Sequence, residues 1–132
     1  MQIAMLGLGR MGANMARRLM QGGHDCVVYD RDPQAVARLV AEGATGAFSL
    51  AELAHRLTTP RAAWIMVPAG DITEGAVMDL AGHFTAGDIL VDGGNSYFKD
   101  DVRRARTLAE RGIHYLDAGT SGGVWGLDRK ST

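Results

Sequence analysis

The residues best placed to do chemistry lie at the start of the chain. Gly7-Leu8-Gly9-Arg10-Met11-Gly12 fits G-x-G-x-x-G and directly follows the apolar run Met1 to Leu6. A helical pattern with Met11, Met15 and Leu19 on one face comes next and stops at Gly22-Gly23. Strand, glycine turn and helix in that order make a dinucleotide-binding fingerprint. The first glycine permits the tight turn, the second lets the backbone approach a pyrophosphate, and the third lets helix and strand pack closely. The helix start then offers N–H groups and the positive end of its dipole to the phosphates.

The rest of such a unit is present. A second apolar strand, Cys26 to Tyr29, ends at Asp30, 18 positions after Gly12. An acidic residue near that spacing bonds the adenosine ribose hydroxyls. The other reading makes Asp30 a strand-end cap for the turn before Pro33. A carboxylate there repels a 2′-phosphate and favours NAD. Arg31 beside it can accommodate that phosphate, so NADP stays open. Asp32, next in line, fits an N-cap before Pro33.

Three further stretches have polar or glycine-rich character at strand ends. Val67-Pro68-Ala69-Gly70 leaves a strand opposite the phosphate turn and would line a cofactor, or be a plain strand stop. Asp92-Gly93-Gly94-Asn95-Ser96 presents Asn95, whose amide both donates and accepts and can hold a carboxamide or a sugar hydroxyl. Ser96 reads equally as a helix cap. Gly119-Thr120-Ser121-Gly122-Gly123 matches the G-x-S-x-G of a hydrolase nucleophile elbow. In that fold the acid and the histidine follow the serine. Here the last histidine is His114, and a glycine fingerprint at the N-terminus is foreign to a serine hydrolase, so the hydrolase reading is disfavoured. Ser121, Gly122 and Gly123 read instead as a nest for an anionic substrate group.

The elements that must position these loops alternate strand and helix. A helix is expected from Pro33 to Gly43, a minimal strand within Ala44 to Ala47, and a capping box at Ser49-Leu50-Ala51-Glu52. Buried strands are expected at Trp64 to Val67, Asp88 to Asp92 and His114 to Asp117. Helices are expected after Asp71, through Val77 and Leu80, and from Ser96 to about Arg111. The mixed charges of that last helix read as a solvated face. The pattern predicts an α/β Rossmann-type doubly wound parallel sheet, with ligands at the carboxyl ends of its strands.

Composition is that of an ordinary globular chain, 46% apolar and 22% charged with net charge −1. Such a balance gives no global attraction to nucleic acid or to an anionic membrane. No apolar stretch approaches a bilayer's thickness, and the N-terminus lacks the basic region of a signal peptide. The four histidines are scattered without metal-ligand spacing, so no metal is expected. The single cysteine, Cys26, suits a reducing cytoplasm.

Taken together, Gly7 to Gly12 with Asn14 and Met15, Val67 to Gly70, Asp92 to Ser96, and Ser121-Gly122-Gly123-Val124-Trp125-Gly126 resemble 6-phosphogluconate dehydrogenase, above all its shorter, often NAD-linked bacterial branch. The likeness runs from residue 1 to about 129, a Rossmann domain, and leaves 130–132 as a tail that departs from the family pattern. A 3-hydroxyisobutyrate-type enzyme would instead carry Asp-x-Ser-Thr and Pro-Val-Ser-Gly-Gly. The resemblance implies oxidation of the 3-hydroxyl of 6-phosphogluconate, hydride passing to NAD or NADP, and loss of carbon dioxide to give ribulose 5-phosphate. It implies cofactor contacts from Gly7, Leu8, Gly9, Arg10, Met11, Gly12, Asp30, Arg31, Asp32, Val67, Pro68, Ala69 and Asn95. It implies substrate contacts from Asn95, Ser121, Gly122 and Gly123. It places no catalytic residue in this chain: the family's lysine base and glutamate acid lie downstream, in a helical domain. The chain is therefore expected to be a truncated or frame-shifted cofactor half, inactive alone and a homo-oligomer when full length. Another β-hydroxyacid dehydrogenase and a non-catalytic nucleotide-binding module are the competing readings. Trp125 is left without a role.

Overall fold

The computed structural model describes residues 2–66, 71–93 and 98–117. Within them, five strands and a two-residue bridge alternate with five helices. In chain order they are β1 (Gln2–Leu6), α1 (Arg10–Gln21), β2 (Asp25–Tyr29), α2 (Pro33–Ala41), β3 (Thr45–Gly46), α3 (Leu50–His55), β4 (Ala62–Ile65), α4 (Asp71–Ala81), β5 (Ile89–Asp92), α5 (Phe98–Ala109) and β6 (His114–Asp117). All pairings are parallel, and the strand order is β3-β2-β1-β4-β5-β6. This is the order of a doubly wound sheet, the class expected from the alternation of elements. The order reverses between β1 and β4, and a crevice opens there at the carboxyl ends of the strands.

Alternation along each strand divides the core between the two faces of the sheet. Ala4, Leu6, Val27, Ile65 and Leu90 meet Leu53 of α3, Val77 and Leu80 of α4, and Leu108 of α5. Met5, Cys26 and Val28 meet Ala13 and Ala16 of α1 and Val36 and Leu39 of α2. Both faces of β1 and β2 are thus covered, which is why these strands read as unbroken apolar runs.

Two expectations change. Met11 is 55% exposed rather than on the packed face. The buried stripe of α1 is Gly12, Ala13 and Ala16, with Met15, Leu19 and Met20 half-buried beside it. Small residues make the stripe because the helix lies close over β1, leaving no depth for a methionine. The capping box at α3 is also displaced by one residue. Ser49 Oγ accepts from Glu52 N at 3.0 Å as expected, but Glu52 Oε1 accepts from Phe48 N at 2.7 Å, one position before the cap. The Asp32 cap of α2 holds, accepting from Gln34 N at 3.0 Å behind Pro33.

At the opposite end from the crevice, Asp88 has no exposed surface. Its oxygens accept from Arg61 N at 2.6 Å, Thr85 N at 2.7 Å and Arg61 Nη1 at 3.0 Å. Burial pushes this carboxyl up, but the two backbone N–H donors and the guanidinium outweigh it and hold it below the usual carboxylate range. The pair ties the loop before β4 to the loop before β5.

Candidate functional site: the crevice at the carboxyl ends of β1, β2, β4 and β5

The phosphate turn is built from β1 outward. Gly7 follows Leu6 with φ +96°, a left-handed conformation that glycine adopts without strain. Its N–H donates to Tyr29 O at 2.9 Å, carrying the β1–β2 ladder one step past the strand. Leu8 is buried and Gly9 exposed. At Gly12 a Cβ would collide with the carbonyl oxygen of Gly7 and stand 3.0 Å from its carbon. Helix and strand could not approach so closely with any other residue.

Gly9 is different. Its backbone is extended (φ −64°, ψ −175°), which any residue adopts. A Cβ there would meet nothing within 4 Å. Neither the fold nor the dihedrals require glycine, and its bareness leaves the backbone open to approach from outside. The start of α1 points the same way. No side chain caps it, and its first turn carries no acidic residue. An α-helix leaves its first N–H groups without intrahelical partners. A pyrophosphate at this turn would find donors and the positive dipole end, so the residues present fit a dinucleotide.

The β2 end supplies Asp30, Arg31 and Asp32. Asp30 Oδ2 accepts from Leu8 N at 2.6 Å, and Oδ1 accepts from Asp32 N at 2.8 Å. Both oxygens therefore engage backbone, one of them across to the phosphate turn. The turn-capping reading and the ribose reading are compatible, because a carboxylate has about four acceptor positions. Arg31 and Asp32 are exposed.

Across the switch point, Met66 N donates to Leu6 O at 2.7 Å and Gly93 N to Ile65 O at 2.8 Å, prolonging the sheet into the rim. Trp64 Nε1 lies 3.1 Å from Met66 Sδ and donates to it. A Cβ on Gly93 would strike both groups. The Met66 Cβ also stands 3.5 Å from where a Gly12 side chain would begin. Met66 thus sits between the phosphate helix and the exit of β5. Deeper in the rim, Asp92 is fully buried and its Oδ2 accepts from Tyr115 Oη at 2.8 Å. Tyr115 pairs in register with Leu90, so this is a diagonal contact between neighbouring strands.

Of the residues singled out in the sequence, the structure gathers Gly7 to Gly12 and Asp30 to Asp32 on one rim. Val67, Pro68, Ala69, Asn95, Ser96, Ser121, Gly122, Gly123 and Trp125 lie outside the described residues. Sequence reasoning missed Trp64, Met66 and Tyr115. Only the i, i+2 spacing of Trp64 and Met66 hinted that the two share a face. Cys26 is no candidate nucleophile. It is buried, and burial, then the nearby Asp25 charge, push its thiol up, the reverse of activation. Among the described residues no cluster of His, Cys, Asp and Glu could hold a metal ion, and no helix is long and apolar enough to cross a membrane.

With this geometry in hand, residues 2–131 match the family described as the NAD binding domain of 6-phosphogluconate dehydrogenase. The chain belongs to that family. Among curated relatives, the NAD(+)-dependent decarboxylating 6-phosphogluconate dehydrogenase of Haloferax volcanii is 43% identical over 128 residues, 97% of this chain and 42% of the relative. The NADP(+)-dependent enzyme of Bacillus subtilis is 39% identical over 129 residues, 95% of this chain and 28% of the relative. The chain thus spans less than half the length of these relatives. Among solved structures, 6-phosphogluconate dehydrogenase of Plasmodium falciparum superposes with TM-score 0.81 and 30% identity, covering 96% of this chain and 28% of that one. The 3-hydroxyisobutyrate dehydrogenase of Mycobacterium tuberculosis gives the same TM-score at 28% identity, covering 95% of this chain and 42% of that one. Backbone shape does not separate the two enzyme types. The two curated sequence relatives above are both named 6-phosphogluconate dehydrogenase.

Proposed function

We propose that this chain is the cofactor-binding part of a decarboxylating 6-phosphogluconate dehydrogenase, with NAD as the preferred dinucleotide and NADP the alternative. The observation that carries the reading is Gly9, a glycine the fold does not need, at an uncapped helix start. Gly7, Leu8, Gly9, Arg10, Met11 and Gly12 cradle the pyrophosphate. Asp30, Arg31 and Asp32 meet the adenosine ribose, and Val67, Pro68 and Ala69 line the cofactor. Asn95 touches cofactor and substrate; Ser121, Gly122 and Gly123 hold the substrate. The bound nicotinamide supplies the hydride acceptor. This chain's residues set the substrate's 3-hydroxyl carbon against it, and the 3-keto acid then loses carbon dioxide to give ribulose 5-phosphate. In this reading the proton of that hydroxyl is taken by a group outside the described residues. In this reading the domain comprises residues 1–129, and the whole enzyme is a homo-oligomer that works in the cytoplasm, in the pentose phosphate pathway. The 42% share of the Haloferax volcanii relative that the chain covers supports a larger whole.

The test is a titration of the 132-residue chain with NAD+ and then 6-phosphogluconate, followed by amide chemical shifts. NAD+ is expected to move Gly7 to Gly12 and Asp30 to Asp32; the sugar acid is expected to move Asn95 and 121–123, and 3-hydroxyisobutyrate is not. Saturating NAD+ without any shift in the phosphate turn would end the proposal.

A further inference from the structure

Asp30 joins two loops that the sequence treats separately. Its Oδ2 accepts from Leu8 N at 2.6 Å, 22 residues away in the chain, and its Oδ1 accepts from Asp32 N at 2.8 Å. Asp32 in turn caps α2 through Gln34 N at 3.0 Å. On the other side, Gly7 N is held by Tyr29 O at 2.9 Å, so both N–H groups of the turn's first two residues are tied to the end of β2. The Leu8 side chain is buried, which fixes the same residue from below. Beyond Leu8 the chain passes through the exposed Gly9 into the uncapped start of α1. The aim of those later N–H groups depends on where Leu8 is held, and Leu8 is held by Asp30.

We propose that Asp30 is a positioning residue for pyrophosphate: its carboxylate holds the Gly7–Gly9 turn in the shape that receives the anion, besides whatever it does at the ribose. This deepens the dinucleotide reading above and rests on it. The two roles of Asp30 make opposite predictions for a ligand that has no ribose. If Asp30 only bonds ribose and repels a 2′-phosphate, removing its charge leaves binding of inorganic pyrophosphate unchanged or improves it, because a negative group near an anion is gone. If Asp30 holds the turn, the same substitution weakens pyrophosphate binding despite the favourable change in charge.

The experiment uses the whole 132-residue chain, with inorganic pyrophosphate and NAD+ titrated separately and the Gly9 to Gly12 amides as reporters. Asp30→Ala is expected to lower both affinities about tenfold, the scale of one charge-assisted hydrogen bond. Asp30→Asn retains one acceptor oxygen and is expected to recover part of the loss for both ligands. Without any ligand, Leu8 amide exchange is expected to quicken in Asp30→Ala while the interior amides of β1 and α1 keep their protection, which separates a loosened turn from a lost fold. Loss of NAD+ binding with pyrophosphate affinity held or raised would overturn the proposal. Failure of the unsubstituted chain to bind either ligand would sink the dinucleotide reading instead. The tether is then decided by Leu8 alone, and unchanged exchange there in Asp30→Ala would refute it.

Discussion

Gly9 and Gly12 belong to one motif, and the structure assigns their bareness to different causes, so alanine at each should fail in a different way. At Gly9 an added Cβ meets nothing within 4 Å, and the extended backbone suits alanine. Alanine is a poorer N-cap than glycine, but it also restricts the unfolded chain, a gain of about 0.4–1 kcal/mol. The two effects nearly cancel, and stability should stay within about 1 kcal/mol. At Gly12 the Cβ would collide with the Gly7 carbonyl, whose carbon lies 3.0 Å away. Backbone cannot rotate aside, so α1 must lift from β1 and loosen Ala13 and Ala16 against Met5. Overpacking of this kind costs about 1–3 kcal/mol. Gly12 lies in the first turn of α1, where the preference for alanine over glycine returns little of this. Gly12→Ala should therefore end about 1–3 kcal/mol less stable. Urea unfolding at constant m separates the two variants, and a titration with NAD+ completes the comparison. Gly9→Ala should fold normally and lose the dinucleotide, since its methyl occupies the space where a pyrophosphate must lie. Equal destabilisation by both variants, or full NAD+ affinity in Gly9→Ala, would refute the assignment.

Other perturbations test the frame around the crevice. Asp88→Ala removes the buried anion that faces the partly exposed Arg61 and leaves the Arg61 and Thr85 N–H groups without their acceptor, which should cost about 1–3 kcal/mol. Because the Asp88 carboxyl lies below its ordinary value in the fold, the stability it lends is present at neutral pH and is lost as pH falls below about 4. Asp88→Asn should accordingly flatten the acid limb of a Tm-against-pH curve, and an unchanged limb would contradict the assignment. Gly93→Ala must displace Trp64 from Met66 and should shift the Trp64 emission while costing about 1–3 kcal/mol. A Trp125→Phe background leaves Trp64 as the sole tryptophan to report it. Tyr115→Phe deletes the hydroxyl donor to the buried Asp92 and should cost about 1.5–3 kcal/mol in urea unfolding.

How much of this was legible in the sequence depends on the range of the interaction that decides each feature. The doubly wound parallel sheet followed from the alternation of apolar runs and helical faces, since parallel crossovers leave few topologies open. The Asp32 and Ser49 caps were legible because a cap is made within a few residues of chain. Met11 was misplaced because the period of apolar residues says nothing of the distance between helix and sheet. That distance is set by Gly12 against Gly7, and it favours alanines on the packed stripe.

The site divides along the same line. The glycine turn and the acid after β2 were legible as a motif, because their spacing along one β-α-β unit is the geometry. The bond from Asp30 to Leu8 was not, since it depends on register: Leu6 pairs with Tyr29, and only that pairing brings the next residues of both strands together. A shift of one residue between β1 and β2 would keep every motif letter and turn the Asp30 side chain to the other face of the sheet. The same holds for Met66, whose neighbours Gly12 and Gly93 come from two other segments that the sheet brings to it. A motif thus names the residues that touch a ligand, while the register of the sheet decides which of them also hold one another in place. In the reading proposed above Asp30 stands in both groups, and for that reason exchanging it to alter cofactor preference should disturb the phosphate turn as well.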